Sequence, residues 1–94
     1  MATKTDARII VEQPDQARLD GLGVKDWPIW TKEVSEFGWF YHEKEICYFL
    51  EGKVTVTTDQ GETYIGVGDL VQFPEGLSCK WHVHEPVRKH YKFG

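Results

Sequence analysis

The stretch SEFGWFYHEKEICYFLEGKVTV, residues 35–56, decides the fold of this chain. Alternate residues share a face of an extended strand, so Phe37, Trp39 and Tyr41 fall on one side and Gly38, Phe40 and His42 on the other. His42–Lys44 reads as a short polar turn. From Glu45 the same period of two sends Glu45, Cys47 and Phe49 inward and Ile46, Tyr48 and Leu50 outward. The outward set is too apolar for water, so a further sheet layer or a second subunit is expected to cover it, and a homodimer is the expected assembly. Glu51–Lys53 is expected to turn the chain into a Val/Thr strand at residues 54–58.

A second stretch, GDLVQFPEGLSCKWHV, residues 68–83, supplies the facing wall. Leu70–Phe73 is a strand ended by a Pro74-Glu75-Gly76 turn. The strand after it places Cys79, Trp81 and Val83 inward, with Lys80, His82 and His84 outward. Between the two stretches, Asp59-Gln60-Gly61 has hairpin composition and leads into a strand at residues 63–67. Upstream, a loose start at residues 3–6 precedes a strand at 7–12. Pro14 then opens one or two helical turns ended by Gly21 or Gly23. Residues 27–34 form a short strand whose Pro28 marks an edge or a strand start, with Trp30 in the core. Pro86 is expected to break the chain before a last strand at residues 87–93. Short strands with one helical stretch indicate an all-β sandwich or barrel.

The spacing within these stretches resembles the two motifs of the cupin superfamily. In the first, Trp39 and Tyr41 flank one residue, three residues separate Tyr41 from Glu45, and six separate Glu45 from Gly52. In the second, Gly68, Pro74 and Gly76 take the glycine, proline and glycine positions, and the fifteen residues between Gly52 and Gly68 match the linker of the smallest cupins. The resemblance implies a small single-domain cupin over residues 1–94, a double-stranded β-helix or jelly-roll barrel, with motif 1 at about residues 33–52 and motif 2 at about 68–83. The strand EICYFLEGKV, the turn FPEGL and the C-terminal PVRKHY look like short cupins related to the (S)-ureidoglycine aminohydrolase cupin domain and to the ethanolamine-utilisation cupin. Many of those short members have no assigned function.

The departures from the pattern bear on chemistry. Metal-binding cupins use three His and one Glu, and the corresponding positions here hold Trp39, Tyr41, Glu45 and Cys79, with Glu33 in place of the first glycine and Val83 in place of an Asn. Indole offers no lone pair and a phenol is a poor ligand for most divalent ions, so no metal and no cofactor are expected. His82 and His84 imitate a ligand pair but face outward.

The expected pocket comprises Trp39, Tyr41, Glu45, Cys47, Phe73, Cys79 and Trp81. Desolvation of Glu45 by the rings would make it a general acid or base, with Tyr41 assisting. The other reading of Glu45 is a buried carboxylate satisfied by the Tyr41 hydroxyl or by backbone donors. Both cysteines read as small packing residues, because a thiolate needs a nearby cation or base. Aromatic rings around one carboxylate suit a guanidino, ureido or amino compound, whereas rings that fill the barrel would leave no cavity.

Composition sets the remaining bounds. Ninety-four residues make one domain, and four Trp, four Tyr and five Phe give a small barrel a large buried area per residue. A net charge of −4 disfavours nucleic-acid binding. Arg88, Lys89 and Lys92 form the one basic cluster and read as a solvated strand face. The first residues, MATKTDARIIVEQ, lack a long apolar core, so neither a secretory signal nor a membrane span is expected. Two cysteines without an export signal point to free thiols and cytoplasmic residence. The expected function is the binding of a small polar or nitrogenous metabolite in a metal-free pocket. Alternatives are a small hydrolase of aminohydrolase type using Glu45, and a structural or protein-binding dimer.

Overall fold

Two long strands, β4 (Glu45–Thr58) and β7 (Ser78–Phe93), carry the fold of this computed structural model, which describes residues 6–94. They run antiparallel to each other from Glu45 opposite Phe93 to Thr57 opposite Lys80. The other elements are β1 (Ile10–Glu12), helix α1 (Gln16–Leu22), a 3-10 turn at Val24–Asp26, β2 (Ile29–Lys32), β3 (Ser35–Phe40), β5 (Gly61–Gly66) and β6 (Leu70–Phe73).

Each long strand serves two leaves. The first half of β4 pairs with β6, which carries β1 at its far edge, and the second half of β7 pairs with β2. Beyond the midpoint β4 pairs with β5, and the first half of β7 pairs with β3. Cys47, Phe49, Val71 and Phe73 from one leaf meet Val54, Val56, Ile65, Trp81 and Val83 from the other in a single core. The result is the all-β jelly-roll barrel that the strand pattern indicates.

The midpoint corrects two sequence expectations. Glu51–Lys53 is not a turn and Pro86 does not end a strand: both lie in a bulged register where β4 and β7 bend together. Gly52 has φ 107°, and a Cβ there would lie 2.7 Å from the Pro86 carbonyl oxygen and 2.9 Å from Val87 Cα. Only glycine fits. Pro86 is tolerated because the ladder is already interrupted where its missing N–H falls.

At the start of the chain, Asp15 caps α1 by accepting from the Arg18 N–H, and Gly23 closes the helix in the left-handed region at φ 69°. The helix and the 3-10 turn stand opposite the outer residues Tyr48 and Leu50 across a cleft, so this segment, not a further sheet layer, lies over that part of the outward face. Residues 3–5 of the expected loose start lie outside the described residues. Asp6, its last member, is tied down: its buried carboxylate accepts from Arg8 at 2.6 Å and from the Thr58 hydroxyl at 2.8 Å. Among the described residues no helix is long and apolar enough to cross a membrane.

Candidate functional site

A cavity of about 130 Å³ opens at the end of the barrel where β2, β3 and the second half of β7 meet. Its walls are Trp30, Phe37, Trp39, Tyr41, Trp81, Tyr91 and Phe93, and its polar groups are Glu45 and Lys89. Glu45 sits at the first position of β4, its inward direction fixed by the strand's period. Lys89 enters from β7, where Val87, Lys89 and Tyr91 continue the alternation of Trp81 and Val83.

The two charged groups form a buried ion pair. Lys89 Nζ donates to Glu45 Oε2 at 2.7 Å, and each residue is only 4% exposed. The ammonium also lies 4.7 Å from the Trp81 ring, 4.9 Å from Trp30 and 5.7 Å from Phe49. Desolvated cation–π contacts of this kind hold a positive charge that has lost its water. The buried Cys47 thiol lies within hydrogen-bond reach of both members of the pair, and the pair lines the cavity.

The rings are a mutually packed set. Trp81 meets Trp30 edge to face at 5.8 Å and stacks on Phe37 at 5.9 Å, while Tyr41 stacks on Phe73 at 4.7 Å with planes 8° apart. The Trp81 indole N–H donates to the Tyr41 hydroxyl at 3.3 Å. Burial pushes Tyr41 far above the ordinary phenol range, and the Glu45 charge adds to the shift, so the hydroxyl stays protonated. Trp39, 47% exposed, stands on the rim.

Four of the seven expected pocket residues, Trp39, Tyr41, Glu45 and Trp81, line the cavity. The other three do not. Phe73 backs Tyr41 from inside the core, and Cys47 is wholly buried with its thiol toward the Val71 carbonyl at 3.8 Å. Cys79 points its thiol at the Trp39 carbonyl at 3.6 Å. Burial raises the thiols, Cys47 to about 12 and Cys79 to about 11, which suits packing and not nucleophilic work. The expected hydrogen bond from Tyr41 to Glu45 is replaced by the Lys89 pair.

Lys89 is the residue that the sequence reading missed, having been grouped with Arg88 and Lys92 as a solvated face. Those two are exposed and Lys89 is not. The signal was the alternation Val87, Lys89, Tyr91 in a strand whose other inward members are apolar. The residues at the metal-ligand positions do not make a metal site: Trp39 has no lone pair, Tyr41 is buried and protonated, Glu45 is held by an ammonium, and Cys79 is bonded to a carbonyl. Among the described residues no three His, Cys, Asp or Glu side chains come together as a cation site. His82 and His84 lie on the outer face, His82 beside Glu36 at 3.3 Å and His84 against Thr55 at 2.7 Å.

The sequence model of the EutQ-like cupin domain matches residues 19–91. A DUF861 family protein from Thermotoga maritima is 54% identical, with a TM-score of 0.90 over 92% of this chain and 99% of that one. The EutQ protein of Clostridium difficile shares the fold at 22% identity and a TM-score of 0.64, over 69% of this chain and 52% of that one. A protein of unknown function from Rhizobium leguminosarum shares it at 22% identity and a TM-score of 0.61, over 69% of this chain and 66% of that one. Comparison with the curated proteins finds no match.

Proposed function

The chain belongs to the EutQ-like cupin domain family, and from that premise we propose that it binds a small, uncharged polar molecule in the cavity at the mouth of its barrel. The observation that carries this reading is the Glu45–Lys89 pair at the floor of an aromatic cup. The pair brings a carboxylate acceptor and an ammonium donor side by side to the cavity wall. A ligand with an adjacent donor and acceptor, such as an amide or ureido group, meets both at once. Its apolar remainder lies against Trp30, Trp81 and Tyr91. A cavity of about 130 Å³ sets the scale; a closed cavity of about 150 Å³ holds benzene, so the buried part of the ligand has about six heavy atoms.

Three tryptophans line the cavity, so their emission reports occupancy. Titration with small amides and ureas is expected to give a saturable change in wild type that disappears in the Glu45→Gln/Lys89→Met double variant. An equal response in both proteins would sink the reading. The hydrolase alternative, with Glu45 as general base and Tyr41 assisting, is weakened by Lys89, which occupies one oxygen of that base, and by the protonated Tyr41 hydroxyl. Cytoplasmic residence and pairing into a homodimer belong to the same proposal. Light scattering on untagged protein tests the pairing, and a monomer mass at high concentration would remove it.

A further inference from the structure

We propose that the Lys89 amine captures a small uncharged aldehyde or ketone as an imine, with Glu45 carrying the proton; this rests on the binding reading above and names the ligand class that the ion pair serves. Three observations support it.

First, the pair has no evident structural purpose. Removing two charges from water in a barrel this small offsets most of their attraction, and an apolar pair of similar volume is commonly as stable. The pair also faces the cavity, where a ligand meets it.

Second, the cation is lysine. To hold a carboxylate alone, arginine would serve better, because its fork binds both oxygens and never loses its proton. Here a single N–H engages a single carboxylate oxygen at 2.7 Å. Lysine can give up a proton and become a nucleophile.

Third, the surroundings suit the product as well as the reactant. A protonated imine keeps its positive charge where the ammonium was, so the Trp30, Trp81 and Phe49 rings and the Glu45 carboxylate stabilise both. Lys89 lines the cavity among aromatic walls, so a carbonyl compound that enters meets Nζ there.

The steps balance without a further reagent. The Lys89 ammonium passes one proton to Glu45, and the freed nitrogen lone pair attacks the carbonyl carbon. The carbonyl π pair moves to oxygen, which takes a second proton from nitrogen to give a carbinolamine. Glu45 returns its proton to that hydroxyl, water departs, and the nitrogen lone pair closes the C=N bond. Ammonium and carbonyl compound thus become protonated imine and water, and Glu45 ends as it began.

The test incubates the full chain with butanal and sodium cyanoborohydride, following tryptophan emission for entry and mapping reduced adducts by peptide mass. The expected result is saturable labelling of Lys89 at least about tenfold faster than any other lysine, as a preorganised amine implies. Glu45→Gln is expected to slow that labelling by about a hundredfold, a usual size for a lost general acid–base. Lys89→Met, and the paired Glu45→Gln/Lys89→Met variant that leaves no lone buried charge, are expected to lose it while surface lysines react as before. Saturable emission change with no preference for Lys89 would overturn the imine and leave the binding reading standing. No emission change and no preference would overturn the imine, and an equal response of wild type and the double variant to amides and ureas would overturn the binding reading as well. Equal labelling in Glu45→Gln would overturn the role given to Glu45.

Discussion

Glu45 and Lys89 depend on each other for their solvation. Each stands 4% exposed, and the 2.7 Å contact replaces part of the water each has lost. Lys89→Met is therefore expected to lower unfolding free energy by about 3–5 kcal/mol, the usual result of leaving one buried charge alone. Glu45→Met/Lys89→Met is expected to recover most of that loss, within about 1 kcal/mol of wild type, because the apolar pair needs no solvation. Urea unfolding of the three proteins checks both values, and a double variant as weak as the single would show that the pair is a net support of the barrel. The cysteines give a second residue-level expectation. Thiols raised to about 11 and about 12 carry less thiolate at pH 8 than a free cysteine, so iodoacetamide should modify Cys79 slowly and Cys47 only on unfolding. The Cys79 rate should rise until the pH passes about 11. Glu45 was legible from strand parity and motif spacing together. Lys89 shares the parity of Trp81, Val83 and Val87, but an expected break at Pro86 hid that continuity and adjacent Arg88 made a surface cluster the simpler reading.

Among the elements, the bend shared by β4 and β7 is where sequence and structure part. A glycine between charged residues and a proline inside a polar run are the usual punctuation of turns. In this chain each excuses the other: Gly52 makes room for the Pro86 carbonyl, and the bulge at Gly52 spares Pro86 a ladder hydrogen bond. No local pattern shows two such residues opposite each other. Strand β6, by contrast, was readable to the residue, since Pro74 and Gly68 bound it and its inward set is apolar. Gly52→Ala is expected to destabilise by about 3 kcal/mol or more, through positive φ and a backbone clash together. Gly38→Ala in β3, with nothing within 4 Å of its added Cβ and no positive φ, should change stability by less than about 0.5 kcal/mol. Thermal unfolding of the pair separates a required glycine from an incidental one.

Across the whole molecule, the first described residues are fastened to the barrel by charge. Asp6 accepts from Arg8 and Thr58, and Arg8 also reaches Asp59 at the tip of the β4–β5 hairpin at 3.2 Å. The Arg8 guanidinium holds the Asp6 carboxyl well below the usual carboxylate range, against the opposing effect of burial. A group lowered on folding contributes stability that is present above its unfolded value and lost as the solution is acidified. Stability should accordingly fall once the pH drops below about 4, and Asp6→Asn should flatten that limb of the curve while lowering the plateau. Unfolding midpoints from pH 2 to pH 7 measure both effects.

The pairing of β4 with β7 also governs how the barrel forms in time. Partners such as Glu45 and Phe93 or Phe49 and Lys89 lie forty or more residues apart in sequence, and both leaves hang from this one ladder. Strands β5 and β6 dock on β4, while β2 and β3 dock on β7. The β4–β5 hairpin is local, but the two leaves join only when β4 and β7 pair across this distance, so refolding is expected on the millisecond-to-second scale of non-local β topologies.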